Sequence, residues 1–242
     1  MPQIQIIGES CLDIFVYCDA IRLAPDLPVP VLQEIHSVNN PGMAANVQRN
    51  LHSSFLTTEL ITNPNWKSVI KTRYVHDVSN HLFFRVDTPH DIAPLEMNEL
   101  ELNADMVVIS DYNKGFLSES IIHDICNSHP LVFLDTKKIL GPWAEKAAFI
   151  KINNYEFNRS ENFLTNNLRK KIITTRGANG CDFQGKNYPV EKFEIRDTSG
   201  AGDSFMAALV ADFLVTGDIL KSIQAANLAA SNVVRTRGVG II

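Results

Sequence analysis

Arg196-Asp197-Thr198-Ser199-Gly200-Ala201-Gly202-Asp203-Ser204-Phe205 leads into a segment in which Phe205, Leu209 and Phe213 recur at helical spacing. Two glycines at the start of such a helix let a ligand approach the backbone closely. The first-turn N–H groups of a helix have no intrahelical partner, and the helix dipole adds positive potential there, so the stretch suits an anion such as a phosphate. Asp203 falls in the same turn, where a carboxylate can take the proton of a hydroxyl attacking a phosphoryl group. A bare Gly-x-Gly-Asp fits a tight turn followed by an ordinary first-turn acid just as well, so the rest of the chain must decide. No Gly-Lys-Ser/Thr follows a glycine run, which excludes a Walker A loop.

Working outward, short apolar runs end repeatedly at a polar residue or glycine. IQII (4–7) ends at Gly8, MVVI (106–109) at Ser110-Asp111, LVFL (131–134) at Asp135, FIKI (149–152) at Asn153, and KIIT (171–174) at Thr175-Arg176-Gly177. Such runs suit strands buried on both faces. Helical periodicity covers 118–127, 201–215 and 218–234. Alternating strands and helices predict an α/β fold: a mostly parallel sheet with helices on both faces, and ligands beyond the carboxyl ends of its strands. Spans 4–8, 106–110, 131–135 and 149–153 should be neighbouring parallel strands. Residues 14–39, with Pro25, Pro28 and Pro30, and 70–87, with turn residues Ser79-Asn80, alternate instead. They predict a small β-lid on a single domain, 1–242.

The chain has 242 residues, 45% of them hydrophobic, enough for one sizeable core, and a net charge of -5. That acidic balance argues against a nucleic-acid partner. No apolar run approaches the ~20 residues of a membrane span. The opening MPQIQIIGES lacks a basic region before an apolar stretch and reads as a first strand, so a cytoplasmic location is expected. Cys11, Cys18, Cys126 and Cys181 form no C-x-x-C pair, and the seven histidines show no H-x-x-x-H spacing, so filler thiols and no structural zinc are expected.

The string D-T-S-G-A-G-D-S-F resembles the C-terminal motif of ribokinase-like (PfkB-type) carbohydrate kinases almost letter for letter, and the resemblance extends over nearly the whole chain. It implies a ribokinase-like fold, ATP and Mg²⁺, with Asp203 as catalytic base and the amides of Gly200, Ala201 and Gly202 as an anion hole. Within the family the motifs are most similar to those of heptose 7-phosphate kinases. Gly8-Glu9-Ser10-Cys11-Leu12-Asp13 resembles the opening strand and loop, which makes Asp13 a grip on sugar hydroxyls. Pro41-Gly42-Met43-Ala44-Ala45-Asn46-Val47 resembles the P-G-G-A-A-N-V sugar loop, which brings Gly42 and Asn46 to the substrate. Met43 stands where the second glycine would be and should narrow the pocket or shift the loop. Ser110-Asp111-Tyr112-Asn113-Lys114-Gly115 matches S-D-Y-x-K-G, so Asp111 and Lys114 would orient a phosphorylated sugar. Asp135-Thr136-Lys137 resembles D-P-K with threonine for proline, leaving Lys137 to meet phosphate. Arg85 and Asp87 match an R-x-D lid motif, and Lys71 and Arg73 align with basic lid residues. Taken singly, each of these cations also reads as surface charge. Asn153-Asn154-Tyr155-Glu156 resembles N-x-x-E, whose glutamate organises Mg²⁺ through water; alternatively Glu156 is a first-turn helix acid. Thr175, Gly177 and Gly180 belong to a T-R-G-x-x-G stretch that flanks the nucleotide. Asn227 would border the adenine, or simply pack in the core.

The chain departs from the family between Asn50 and Lys71, where it is much shorter, and it stops soon after Arg237-Gly238-Val239-Gly240. The shortening falls on the sugar side, so reaction type is better defined than acceptor. A homodimer through the β-lid would cover sheet surface left bare. The expected activity is phosphoryl transfer from ATP to a sugar or sugar phosphate, with heptose 7-phosphate the first choice of acceptor. A hexose, fructose phosphate or nucleoside acceptor, and a non-catalytic nucleotide or sugar-phosphate sensor, are the alternatives.

Overall fold

The computed structural model describes residues 2–51, 56–191, 197–236 and 238. Arg196, Arg237, Val239 and Gly240, and part of the shortened stretch after Asn50, lie outside the described residues.

In chain order the elements are β1 Gln3–Gly8, β2 Ser10–Leu23, β3 Pro30–Met43, α1 Ala44–Leu51, β4 Thr57–Ile61, β5 Ile70–His76, β6 Leu82–Asp87, β7 Met106–Asp111, α2 Glu119–Ser128, β8 Val132–Thr136, β9 Phe149–Asn153, α3 Asn154–Ser160, α4 Asn166–Arg169, β10 Ile172–Thr175, β11 Cys181–Phe183, β12 Lys186–Tyr188, α5 Ala201–Thr216 and α6 Ile219–Val233. The larger sheet runs β12-β11-β10-β9-β8-β7-β1-β4. It is parallel from β4 through β10, with β11 and β12 antiparallel at one edge. The four spans expected to be neighbouring parallel strands are β1, β7, β8 and β9, adjacent in that sheet.

Successive side chains of a strand point to opposite faces. Ile4, Ile6, Met106, Val108 and Phe133 therefore join a core with α5 and α6 residues such as Leu209, Val210 and Ile223. Ile7, Val107, Ile109 and Leu134 join another with Ile122 and Ile125 of α2. Helices cover both faces, which is why these strands read as unbroken apolar runs. Helix starts fall where short polar side chains take up first-turn N–H groups: Ser118 Oγ accepts from Ile121 N (3.2 Å) and Asp218 Oδ1 from Leu220 N (3.0 Å).

The lid is a second sheet, β3-β2-β5-β6. Its strands run beyond the 14–39 span, β2 from Ser10 and β3 as far as Met43. Pro25 and Pro28 fall in the turn between β2 and β3, and Pro30 opens edge strand β3. β5 and β6 form the expected hairpin, with Asn80 at its turn at φ 58°. Among the described residues of the shortened region, β4 is followed by one connection into β5, and β4 is the edge of the larger sheet.

Candidate functional site

The α5 N-terminus stands between two cavities. Gly200 is its N-cap at φ 79°, a left-handed conformation that favours glycine, and no side chain caps the helix. Asp197 braces the approach, its Oδ1 accepting from Ser199 N (2.8 Å). The Ala201 N–H makes a long bond to Thr198 O (3.3 Å). One cavity, of about 80 Å³, is lined by Asp13, Met43, Asn46, Lys71, Arg73, Tyr112, Ser199, Gly200 and Asp203. The other, of about 160 Å³, is mostly apolar and has Thr175, Gly177, Gly180, Ala201, Gly202, Phe205 and Asn227 in its wall.

Asp203 is 5% exposed. Its Oδ2 accepts from Asn46 Nδ2 (2.9 Å) and its Oδ1 from the Tyr112 hydroxyl (2.7 Å). Burial pushes its pKa above the ordinary carboxylate value, while the two hydrogen bonds and Lys151 pull the other way. The result is a desolvated carboxylate held in orientation by two donors. Asn46, expected at the substrate, does line the cavity, but its amide is committed to Asp203.

On the lid side, Asp13 pairs with Arg73 Nη1 (2.7 Å), and the Arg73 guanidinium lies 5.0 Å from the Phe15 ring centroid. Gly42 is required by crowding: a Cβ there would lie 2.6 Å from Cys11 Sγ and 2.9 Å from Asp13 Oδ2. Met43 is buried and holds φ 59°, an uncommon conformation for a residue with a side chain. It joins lid strand β3 to α1 and lines the cavity.

Three expected substrate residues are placed differently. Asp111 is buried with Lys138 Nζ at 2.9 and 3.1 Å from its oxygens, and accepts from the Thr136 hydroxyl as well. The threonine that replaces proline in the D-P-K motif thus supplies a donor to Asp111. Lys114 contributes its backbone N–H to Glu9 Oε1 (2.8 Å), and its side chain is not in the wall of the smaller cavity. Arg85 is half-exposed, outside that wall, and ion-paired to Asp87 (2.7 Å). It stands opposite Arg73 across β5 and β6, a like-charge pair whose members each take a separate carboxylate.

At the ends of β8 and β9 lies a charge network. Asp135 accepts from Lys151 Nζ (2.6 Å) and Lys137 Nζ (3.2 Å), and Lys137 also reaches Glu156 Oε1 (2.9 Å). Burial opposes ionisation of Asp135, but the two lysines more than offset it and hold its pKa below the ordinary value. For Lys137 burial is likewise outweighed, by Asp135 and Glu156, and its pKa is raised. Lys151, buried within FIKI, was not singled out in the sequence, although a cation inside an apolar strand is the signal that would have found it. Its ammonium lies 3.0 Å from where a Gly202 Cβ would stand, under the α5 N-terminus.

Glu156 fits a divalent cation only at one remove. Both of its oxygens accept from Asn153, at the backbone N–H (2.7 Å) and at Nδ2 (2.8 Å), closing a capping box, while Lys137 takes Oε1 as well. Carboxylate oxygen is the right donor for Mg²⁺, and a water-mediated contact is what this commitment leaves open. Among the described residues no group of three or more His, Cys, Asp or Glu side chains is arranged to hold a metal.

On the side of the larger cavity, Gly180 is at φ 79°, and a Cβ there would lie 2.0 Å from Tyr188 O, so only glycine fits. Asn227 lines the cavity, but its Nδ2 donates to Tyr188 O (2.9 Å), tying α6 to β12. Asn153, by contrast, lines a neighbouring surface cleft with Asn154, Arg176 and Gly177.

Glu9 also went unassigned in the sequence. It is fully buried and accepts from the N–H groups of Tyr112 (2.8 Å), Lys114 (2.8 Å) and Phe116 (3.4 Å), which fixes the loop after β7. No local pattern marks it, because its partners lie more than a hundred residues along the chain.

Residues 131–242 match the pfkB family carbohydrate kinase model. The bifunctional protein HldE of Bradyrhizobium diazoefficiens is 26% identical over 98% of this chain and 60% of its own length. The HldE of Helicobacter pylori strain J99 is 28% identical over 98% of this chain and 64% of its own. The chain thus spans about three-fifths of the length of the curated relatives it matches. Among solved structures, the Methanocaldococcus jannaschii nucleoside kinase superposes with a TM-score of 0.72 at 17% identity, covering 99% of this chain and 93% of that one. Thermotoga maritima ribokinase gives 0.74 at 15%, covering 99% and 95%. The fold is ribokinase-like, and the C-terminal part of the chain, residues 131–242, is similar to the pfkB family of carbohydrate kinases.

Proposed function

We propose that residues 1–242 act as one catalytic unit that transfers the γ-phosphoryl group of ATP to a hydroxyl of a sugar phosphate, with heptose 7-phosphate the leading acceptor. The observation that carries this is Asp203, a buried carboxylate in the helix turn that separates the polar cavity from the apolar one. The acceptor would occupy the smaller cavity, its hydroxyls meeting Asp13 and its phosphate the cations Lys71 and Arg73. ATP would occupy the larger, with Thr175, Gly177, Gly180 and Asn227 about the nucleoside and its γ-phosphate at the α5 N-terminus. The hydroxyl proton passes to Asp203, the hydroxyl oxygen bonds to the γ-phosphorus, and the bond to the bridging oxygen breaks, leaving ADP. The Gly200, Ala201 and Gly202 amides face the developing negative charge. A bound divalent cation would neutralise phosphate charge, with Glu156 in its outer sphere.

The acceptor assignment draws on the HldE relatives and on the basic lid. Met43, which fills space where a glycine would leave room, favours a smaller sugar phosphate as the second choice. Exposed Ile21, Leu23, Ile35, Phe84 and Val86 support a second copy covering the lid. The free, buried state of Cys11, Cys18, Cys126 and Cys181, and the lack of any described helix long and apolar enough to cross a membrane, accord with a cytoplasmic enzyme.

An acceptor panel with ATP and Mg²⁺, scored by ADP release, tests the reading, with Asp203→Asn as control. Loss of a general base lowers turnover by ~100- to 10,000-fold, while ATP binding, held by backbone amides, persists. Near-normal turnover in that variant would remove Asp203 from the role. Turnover with no sugar or sugar phosphate in the panel would leave a nucleotide-binding sensor.

A further inference from the structure

Tyr112 is placed by more contacts than a turn residue needs. Its N–H is tied to buried Glu9 (2.8 Å), and the next residue, Asn113, holds φ 55° while its N–H donates to Asp111 Oδ1 (3.0 Å). The phenol reaches across the molecule to Asp203 Oδ1 at 2.7 Å, from 91 residues away. Its ring lies near two ammonium groups, Lys71 Nζ of lid strand β5 at 5.4 Å from the centroid and Lys137 Nζ, just past β8, at 5.3 Å. Cations near an aromatic ring are attracted to its quadrupole, so the ring links the lid to the β8–β9 charge network.

We infer that Tyr112 is a positioning residue for phosphoryl transfer, its hydroxyl holding the Asp203 carboxylate oriented and free of a proton to receive the acceptor. This rests on Asp203 being the base. A carboxylate oxygen has two lone-pair directions, so Tyr112 on Oδ1 and Asn46 on Oδ2 still leave one on each oxygen for the acceptor hydroxyl. Burial and the neighbouring Asp203 keep the phenol pKa well above its ordinary value, so it serves as donor and not as proton acceptor. The other groups around the carboxylate do not duplicate this bond. Lys151 is committed to Asp135, and Arg73 to Asp13. Lys137 divides itself between Asp135 and Glu156, and Lys71 lies over the ring. Asp135 acts on the carboxylate only as a like charge, and Cys11 has its thiol pushed up to about 12 by burial, with a smaller push from Asp13, and stays neutral.

Tyr112→Phe removes the hydroxyl and keeps the ring and both cation contacts. Losing a hydrogen bond to the ionised form raises a carboxyl pKa, so the acid limb of the kcat/KM profile should move up by about one pH unit. The deficit would be about tenfold on the acid side and shrink as pH rises, with little change in acceptor KM. A merely structural role predicts a loss that is the same at every pH. The Asp203 carboxyl can also be followed without turnover, by ¹³C NMR of labelled aspartate, assigned through Asp203→Asn. Its midpoint should rise in Tyr112→Phe. An unchanged midpoint would overturn the inference whatever the activity does, as would a pH-independent loss. Unimpaired turnover of Asp203→Asn would instead sink the base assignment, and with it the role of Tyr112 in transfer, even if the midpoint moves.

Discussion

In the eight-stranded sheet every residue of β7 and β8 is buried, whereas in the four-stranded sheet no residue of β6 is. Charge pairs on the buried strands differ from the pair on β6 in the same way, although the lid also holds the largely buried Asp13–Arg73 pair. Asp135–Lys151 and Asp111–Lys138 are nearly inaccessible pairs at the ends of buried strands, while Arg85–Asp87 is open to water. Buried pairs are costly to break and hold a fixed geometry; exposed ones contribute little and move freely. Under the proposed reading, the groups about the transferring phosphoryl would stand on the buried sheet and those that meet the acceptor on the more exposed one.

Lys151→Met attacks the buried side hardest. It strands Asp135 without its closest partner, so a loss of ~3–5 kcal/mol in denaturant unfolding is expected, largely recovered by also replacing Asp135 with Leu. A loss no greater than that of a surface substitution would break the comparison. The same network sets an acid limit. Because the folded-state pKa of Asp135 is depressed, its stabilisation is full above the ordinary carboxylate range and disappears as pH falls through the folded value. The Lys151→Met protein should therefore show a shallower fall in stability on acidification than the wild type.

Glu9→Gln tests whether the loop after β7 belongs to the rigid part. Three N–H donors lose a charged acceptor, at ~1–3 kcal/mol, and the loop amides should exchange hydrogen faster. At the junction of the sheets, Met43→Gly relieves ~1–3 kcal/mol of left-handed strain and forfeits ~2–5 kcal/mol of side-chain burial. A net destabilisation of ~1–2 kcal/mol is expected, with a lower KM for bulkier acceptors, which would sharpen the view that this junction sets acceptor size. Arg85→Ala should change stability by less than ~0.5 kcal/mol. A rise of the KM for a phosphorylated acceptor, with that for ATP unchanged, would show that the exposed lid reads the acceptor.

The sequence by itself determined the α/β class, the four adjacent parallel strands, the lid hairpin and the helix that begins at Ala201, because apolar period, turn residues and caps act over a few residues. Its motifs also brought Asp13, Gly42, Asn46, Lys137 and Asp203 into one region. Only the tertiary structure decided what these groups do to one another. Asp203 owes its setting to Asn46 and Tyr112, 157 and 91 residues away. The partners of Asp111, Glu156 and Lys151 likewise follow from strand order and register. A side chain bonds whatever packing brings within about 3 Å of it, and local periodicity carries no information about that distance.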